Sequence, residues 1–213
     1  MEYCIVSGKY ETGTKEQQLG FKQLFGENNI QAKFDIYFHW YNIIHELGHC
    51  LVDFKGIQMN PIEEEVFVNC FAVQYWKNVD NSSTLQEVKQ LNKKILSKLP
   101  PLIPSEEDFY TFFNNIWGTE EIRSAMMYGY FQMLCVQQAF RSTKSLSELL
   151  EQIEYPKVDI ALMELYQLEI NSNNCENILR TCLDNLKKMG CEVPNIKLEL
   201  VDNPEIQCVQ NVY

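Results

Sequence analysis

The 213-residue chain predicts a mainly α (α+β) fold. Capping residues and prolines open a succession of segments of helical length, and glycines close several of them. The minor β component is read from Ile196-Lys197-Leu198-Glu199-Leu200-Val201, which alternates apolar and polar side chains at the period of a strand. Hydrophobic residues are 46% and charged residues 22%, a globular balance that excludes a disordered or low-complexity chain. No apolar run approaches the ~20 residues of a membrane span.

In chain order, residues 3–10 read as a short strand and 15–25 as a short helix. Asp35 is placed to cap a helix over 35–54, with Gly56 just past its end as a stop. The next start is the sharpest. Asn60 is an N-cap, Pro61 suits the first helical position, and Glu63 sits at N3 as in a capping box, for a helix over 61–77. Asn81-Ser82-Ser83-Thr84 opens a helix to 99, after which Pro100, Pro101 and Pro104 break the chain. Ser105, followed by Glu106, Glu107 and Asp108, starts another helix with acids at its positive end. Further helices are expected at 119–141, 146–154, 157–169 and 174–189, with Gly190 closing the last. Beyond the strand at 196–201, Asp202-Asn203-Pro204 is a turn and 206–213 a second strand. The expected organisation is a core at 1–80, a helical extension packed on it at 81–190, and a β-hairpin at 191–213. That hairpin is expected to join the N-terminal strand in a small sheet, all within one compact unit.

Eighteen Lys and Arg against 29 Asp and Glu give a net charge of −11. This argues against a nucleic-acid-binding protein, because phosphate affinity needs a basic surface, and against docking on an anionic membrane. It points only weakly to a basic substrate or partner. The N-terminus has no basic region followed by a hydrophobic stretch, so no signal peptide is read and the expected location is cytoplasmic. The eight Cys are widely spaced and include no C-x-x-C, which reads as reduced thiols, several of them buried.

The three His all lie between positions 39 and 49. His45-Glu46-Leu47-Gly48-His49 is H-E-x-x-H inside the predicted 35–54 helix. Positions four apart project from one helix face, so two imidazoles can take two corners of a zinc tetrahedron. Glu46 is offset around the helix, near the metal but not on it, where a general base for metal-activated water must sit. Ile43, Ile44, Leu47, Cys50, Leu51 and Val52 make the flanks apolar. Two His and a Glu in such a helix need partners to offset their desolvation, and metal ligation supplies them.

With no further His in the chain, the third ligand is expected to be a carboxylate of the helix opened by Pro61: Glu63, Glu64 or Glu65. His49 lies about five residues before the end of one helix and Glu65 about five after the start of the next, so a short antiparallel hairpin sets them at one height. Glu65 is therefore the expected ligand and Glu64 the reserve. Glu63 is assigned to capping, and both Glu63 and Glu64 also suit the first turn through the helix dipole. Asn69, four residues after Glu65, is placed to orient a ligand His, and Ala72 is small enough to let the helices approach.

These residues resemble the ImmA/IrrE family of zinc metallopeptidases. The likeness rests on His45, Glu46, Leu47, Gly48 and His49 followed by Glu65, Asn69, Phe71 and Ala72, over about residues 35–77. The wider likeness is to gluzincins such as thermolysin, in which a Glu on a second helix completes the site. The resemblance implies a zincin-like helical hairpin and a Zn2+ cofactor. It also implies hydrolysis of a peptide bond in a protein substrate, often a repressor or other regulator.

Other candidates have weaker readings. His39 falls about 120° from the ligand face and reads as a core or rim residue. Asp53 either bonds the free ring nitrogen of His49 or is solvated near the helix end. Tyr128, Tyr130 or Arg123 would have to supply an oxyanion donor, although Met- and aromatic-rich packing also accounts for the tyrosines. Cys175 and Cys182 share a helix face through packing, and Cys50 and Cys70 lie off the ligand face. The competing function is a non-catalytic, zinc-containing regulatory or interaction module, whose site would be closed by a fourth protein ligand.

Overall fold

A computed structural model describes residues 2–165 and 167–202. The chain opens with strand β1 (Glu2–Gly8) and a 3-10 turn at Tyr10–Thr12. Helix α1 (Lys15–Phe25) starts on a Thr14 capping box, with Gln17 returning the bond to the Thr14 N–H. Helix α2 (Ile30–Phe34) runs without a break into a wide π-helical stretch at Asp35–Tyr41 and on into α3 (Asn42–Phe54). After Gly56, at φ +67°, helix α4 (Pro61–Val79) begins on the Asn60 side chain, which accepts from the Ile62 N–H.

Helix α5 (Thr84–Leu96), α6 (Phe109–Ile116), α7 (Ala125–Arg141) and α8 (Leu146–Gln152) follow. Ser124 caps α7, and Ser145 with Glu148 forms the capping box of α8. Helix α9 (Cys175–Lys188) and strand β2 (Asn195–Val201) complete the described chain. Among the described residues no helix is long and apolar enough to cross a membrane.

Helix α4 is the centre of the molecule. Phe67, Val68, Phe71, Ala72, Val73, Tyr75 and Trp76 are all buried, so it is apolar on nearly every side, as a helix enclosed by others must be. α3, α7 and α8 pack around it. One hydrophobic cluster runs from Ile5 to Cys191, and a second gathers Ile62 with α6 and the start of α7. Two contacts set the approach of α4 to α3 and to the π-helical stretch before it. Trp40 stacks on Trp76 with ring centroids 3.8 Å apart at 16°. At the other end Gly48 faces Val68 so closely that an added Cβ would stand 2.9 Å from the Val68 Cβ.

Several sequence expectations change. Asp35 does not cap a helix; it lies within one, because the helix already begins at Ile30. There its carboxylate, 5% exposed, meets His39 Nδ1 at 2.6 Å. The Asn60 cap forms without a reciprocal bond from Glu63. The helix expected from Ser105 begins at Phe109, since Asp108 accepts from both the Tyr110 and Thr111 N–H groups. The one expected over 119–141 begins at Ala125, where Ser124 accepts from the Met127 N–H.

Among the described residues the helix expected at 157–169 reduces to a 3-10 turn at Ile160–Leu162. Asn185 of α9 takes both backbone groups of Glu164, accepting from its N–H at 2.9 Å and donating to its carbonyl at 3.2 Å. β2 does pair with β1, but in parallel, with Glu2 opposite Asn195 and Gly8 opposite Val201. The second strand of the expected hairpin lies outside the described residues. The seven described cysteines are free. Burial raises the thiol pKa of Cys70, Cys135, Cys175, Cys182 and Cys191.

Candidate metal centre

The two histidines of the motif lie one turn apart on α3, their rings 5.0 Å apart and nearly perpendicular. Opposite them, in the second turn of α4, Glu65 points its Oε2 into the space between. That oxygen is 3.6 Å from His45 Nε2 and 3.7 Å from His49 Nε2. The three ligand atoms all lie within 4.8 Å of one another. Two ligands about 2.1 Å from a tetrahedral ion stand about 3.4 Å apart, so small side-chain movements would close this set on a metal. Glu65 Oε2 and His45 Nδ1 are buried without a hydrogen-bond partner. An unsatisfied buried carboxylate oxygen is costly, and a cation offsets that cost. The cluster His45, His49 and Glu65 is thus a candidate metal centre.

The surroundings sort the remaining acids. Glu64 places Oε1 2.7 Å from His49 Nδ1, leaving Nε2 directed at Glu65. Consecutive glutamates thus address the two nitrogens of one ring. Glu46 is 40% exposed at its side chain, with Oε1 4.0 Å from His45 Nε2 and held by a 3.1 Å bond from Asn42 Nδ2. Glu46 is beside the cluster and open to solvent, as a base would need to be.

Asn69 braces the fold under the site, and its side chain also bears on His45, opposing the effect of burial on that ring. Its amide donates to the Glu65 backbone carbonyl at 2.8 Å, and its side-chain oxygen accepts from Tyr41 at 2.8 Å. Asp53 accepts from the Tyr3 hydroxyl at 2.9 Å and makes no bond to His49. His39 is fully buried, between Asp35 and the Gly8 carbonyl 2.8 Å from its Nε2, which ties the π-helical stretch to the end of β1.

Of the three oxyanion-donor candidates, only Tyr128 reaches the cluster. Its hydroxyl donates to Glu65 Oε1 at 3.4 Å and accepts from Gln132 Nε2 at 3.0 Å. Tyr130 is packed in the second hydrophobic cluster, and Arg123 pairs with exposed Glu120. Asn42 and Gln132 were not among the sequence candidates. Asn42 carries a legible signal, four residues before Glu46 on one helix face. Gln132 carries none, because nothing in the chain order brings α7 to α4.

The charges are coupled. Burial pushes the Glu65 carboxyl up, but the adjacent imidazoles of His49, then His45, outweigh it and hold the carboxyl down at about 2. Burial pushes His49 down, yet the hydrogen bond to Glu64 and the nearby carboxylates of Glu65 and Glu46 raise it well above 6.5. His45 is lowered, chiefly by burial, against the opposing pull of Glu46 and Glu65. In the metal-free protein a proton on His49 therefore balances the buried carboxylate.

Protein-family models, curated proteins and solved structures yield no match to the chain.

Proposed function

We propose that this protein is a zinc-dependent peptidase of the gluzincin, ImmA/IrrE-like type that hydrolyses a peptide bond in a regulatory protein. The observation that carries the reading is the convergence of His45, His49 and Glu65, with the solvent-open carboxylate of Glu46 beside them. Two imidazoles and one carboxylate form a donor set typical of catalytic zinc. Bound there, zinc supplies a Lewis acid that polarises a carbonyl and acidifies water.

The chain's own groups then have separable tasks. Glu46 accepts the proton of the attacking water, with Asn42 keeping its carboxylate turned to the cluster. Its exposure gives that proton a way to solvent and to the leaving amine. Glu64 holds His49 in one ring orientation. The free cysteines among the described residues are in keeping with a reducing, cytoplasmic setting. A regulatory module with structural zinc would call for a fourth protein ligand, and the His45, His49 and Glu65 group gathers three.

The test is metal analysis of the purified protein, followed by cleavage assays on a diverse peptide library with wild type and Glu46→Gln. The proposal expects about one zinc per chain, cleavage by wild type and none by the variant. Protein that takes up no divalent ion overturns the metal reading. Zinc retained by wild type with no peptide cleaved overturns the peptidase and favours the regulatory module.

A further inference from the structure

We propose that Tyr128, oriented by Gln132, is a positioning residue that makes Glu65 present a single oxygen to the metal. The inference rests on the metal-binding part of the reading above and not on its substrate.

The two oxygens of Glu65 have different surroundings. Oε2 is buried, lacks a hydrogen-bond partner and faces both imidazoles. Oε1 takes the Tyr128 hydroxyl at 3.4 Å. Gln132 lies one turn further along α7, donates to the Tyr128 oxygen at 3.0 Å and also bears on Glu65 itself, helping to hold its carboxyl low. A phenol has one proton and accepts through its oxygen, so the Gln132 bond on the acceptor side aims the proton at the carboxylate. The ring is partly buried beside Phe131, which limits where the hydroxyl can swing.

A carboxylate with both oxygens free can chelate an ion edge-on. With Oε1 held from α7, Glu65 offers Oε2 alone, and a coordination position stays open for water and substrate. The helix supplying this restraint lies 63 residues beyond the ligand it restrains. α7 is thereby part of the metal site.

The experiment loads wild type, Tyr128→Phe and Gln132→Leu with Co2+, a zinc substitute whose visible absorption weakens as its coordination number rises. Cobalt affinity is measured alongside by chelator competition. Tyr128→Phe keeps the ring, and thermal unfolding of the metal-free protein serves as the folding control. The expected result is affinity loosened about tenfold and weaker cobalt absorption in Tyr128→Phe, with a smaller change of the same sign in Gln132→Leu. Wild-type affinity and spectrum in Tyr128→Phe overturn the inference while leaving the metal site standing. If that variant fails to fold, Gln132→Leu is judged by the same readouts. Wild type that takes no cobalt overturns this inference and the metal reading together.

Discussion

His49 Nδ1 lies 2.7 Å from Glu64 Oε1, so the last histidine of the motif is anchored by the residue adjacent to the third candidate ligand. One turn of α4 thus carries both a candidate ligand oxygen and the acceptor that aims a candidate ligand ring toward it. A carboxylate on the far nitrogen fixes the tautomer and strengthens the ligand nitrogen as a donor.

Replacing Glu64 with Ala is expected to weaken zinc affinity by about 10–100-fold, as loss of such supporting partners does. Asp53→Asn is the control. Asp53 bonds Tyr3 and not His49, so its affinity should match wild type. Chelator competition on the three proteins measures both, and a Glu64→Ala protein with wild-type affinity would show that His49 needs no anchor.

On the proposed function, Glu46→Gln preserves size and the Asn42 contact region but removes the proposed base. Zinc content is expected to stay at the wild-type level while hydrolysis falls by about 10²–10⁴-fold, the usual worth of a positioned general base. Loss of zinc from this variant would instead make Glu46 a ligand.

Zinc affinity should rise with pH. The metal needs the His49 Nε2 lone pair, and in the metal-free site His49 holds its proton well above pH 6.5. Binding must release that proton, so apparent affinity gains up to about one log unit per pH unit below the raised value. Titrations in buffers of different protonation enthalpy between about pH 6 and about pH 8 read the release directly; no proton release would contradict the assignment. The metal-free fold has the complementary dependence. The raised His49 adds stability that is complete below 6.5 and lost as pH rises through its folded value, whereas Glu65 adds stability above 4.5 that is lost as pH falls to about 2.

Gly48→Ala tests the helix approach. The new Cβ would meet the Val68 Cβ at 2.9 Å, with the Val68 backbone only 3.3 Å away. Overpacking of this kind costs about 1–3 kcal/mol, which for a chain of this size lowers Tm by roughly 2–4 °C per kcal/mol. Gly129→Ala is the contrast, since nothing stands within 4 Å of its added carbon. Equal Tm values for the two variants would mean that α3 and α4 separate at no cost.

Much of the fold was legible where the signal is local. Asn60 with Pro61, and Gly56 and Gly190 at positive φ, mark helix ends because their backbone and side-chain preferences act within a turn. The π-helical stretch at Asp35–Tyr41 was not legible, because an aromatic run that buries Tyr37, Trp40 and Tyr41 is satisfied by either helical period. The helix expected at 157–169 was not legible as a loop, because the backbone groups of Glu164 are taken by Asn185, a partner more than twenty positions away.

The chemistry on offer follows from residue order alone. H-E-x-x-H on a helix sets two imidazoles on one face with a carboxylate beside them, and three His in total leave a carboxylate as the natural third donor. Residue order also narrowed the third donor to the first turns of α4, because hairpin height follows from helical rise. Tertiary structure alone decided which oxygen and which nitrogen face each other. Glu64 and Glu65 are neighbours in sequence, yet one takes Nδ1 of His49 and the other turns to Nε2. The difference arises from the rotation of α4 against α3, set by Gly48 on Val68 and Trp40 on Trp76, and from Tyr128 arriving on α7. Those are packing contacts between distant segments, and no local propensity encodes them.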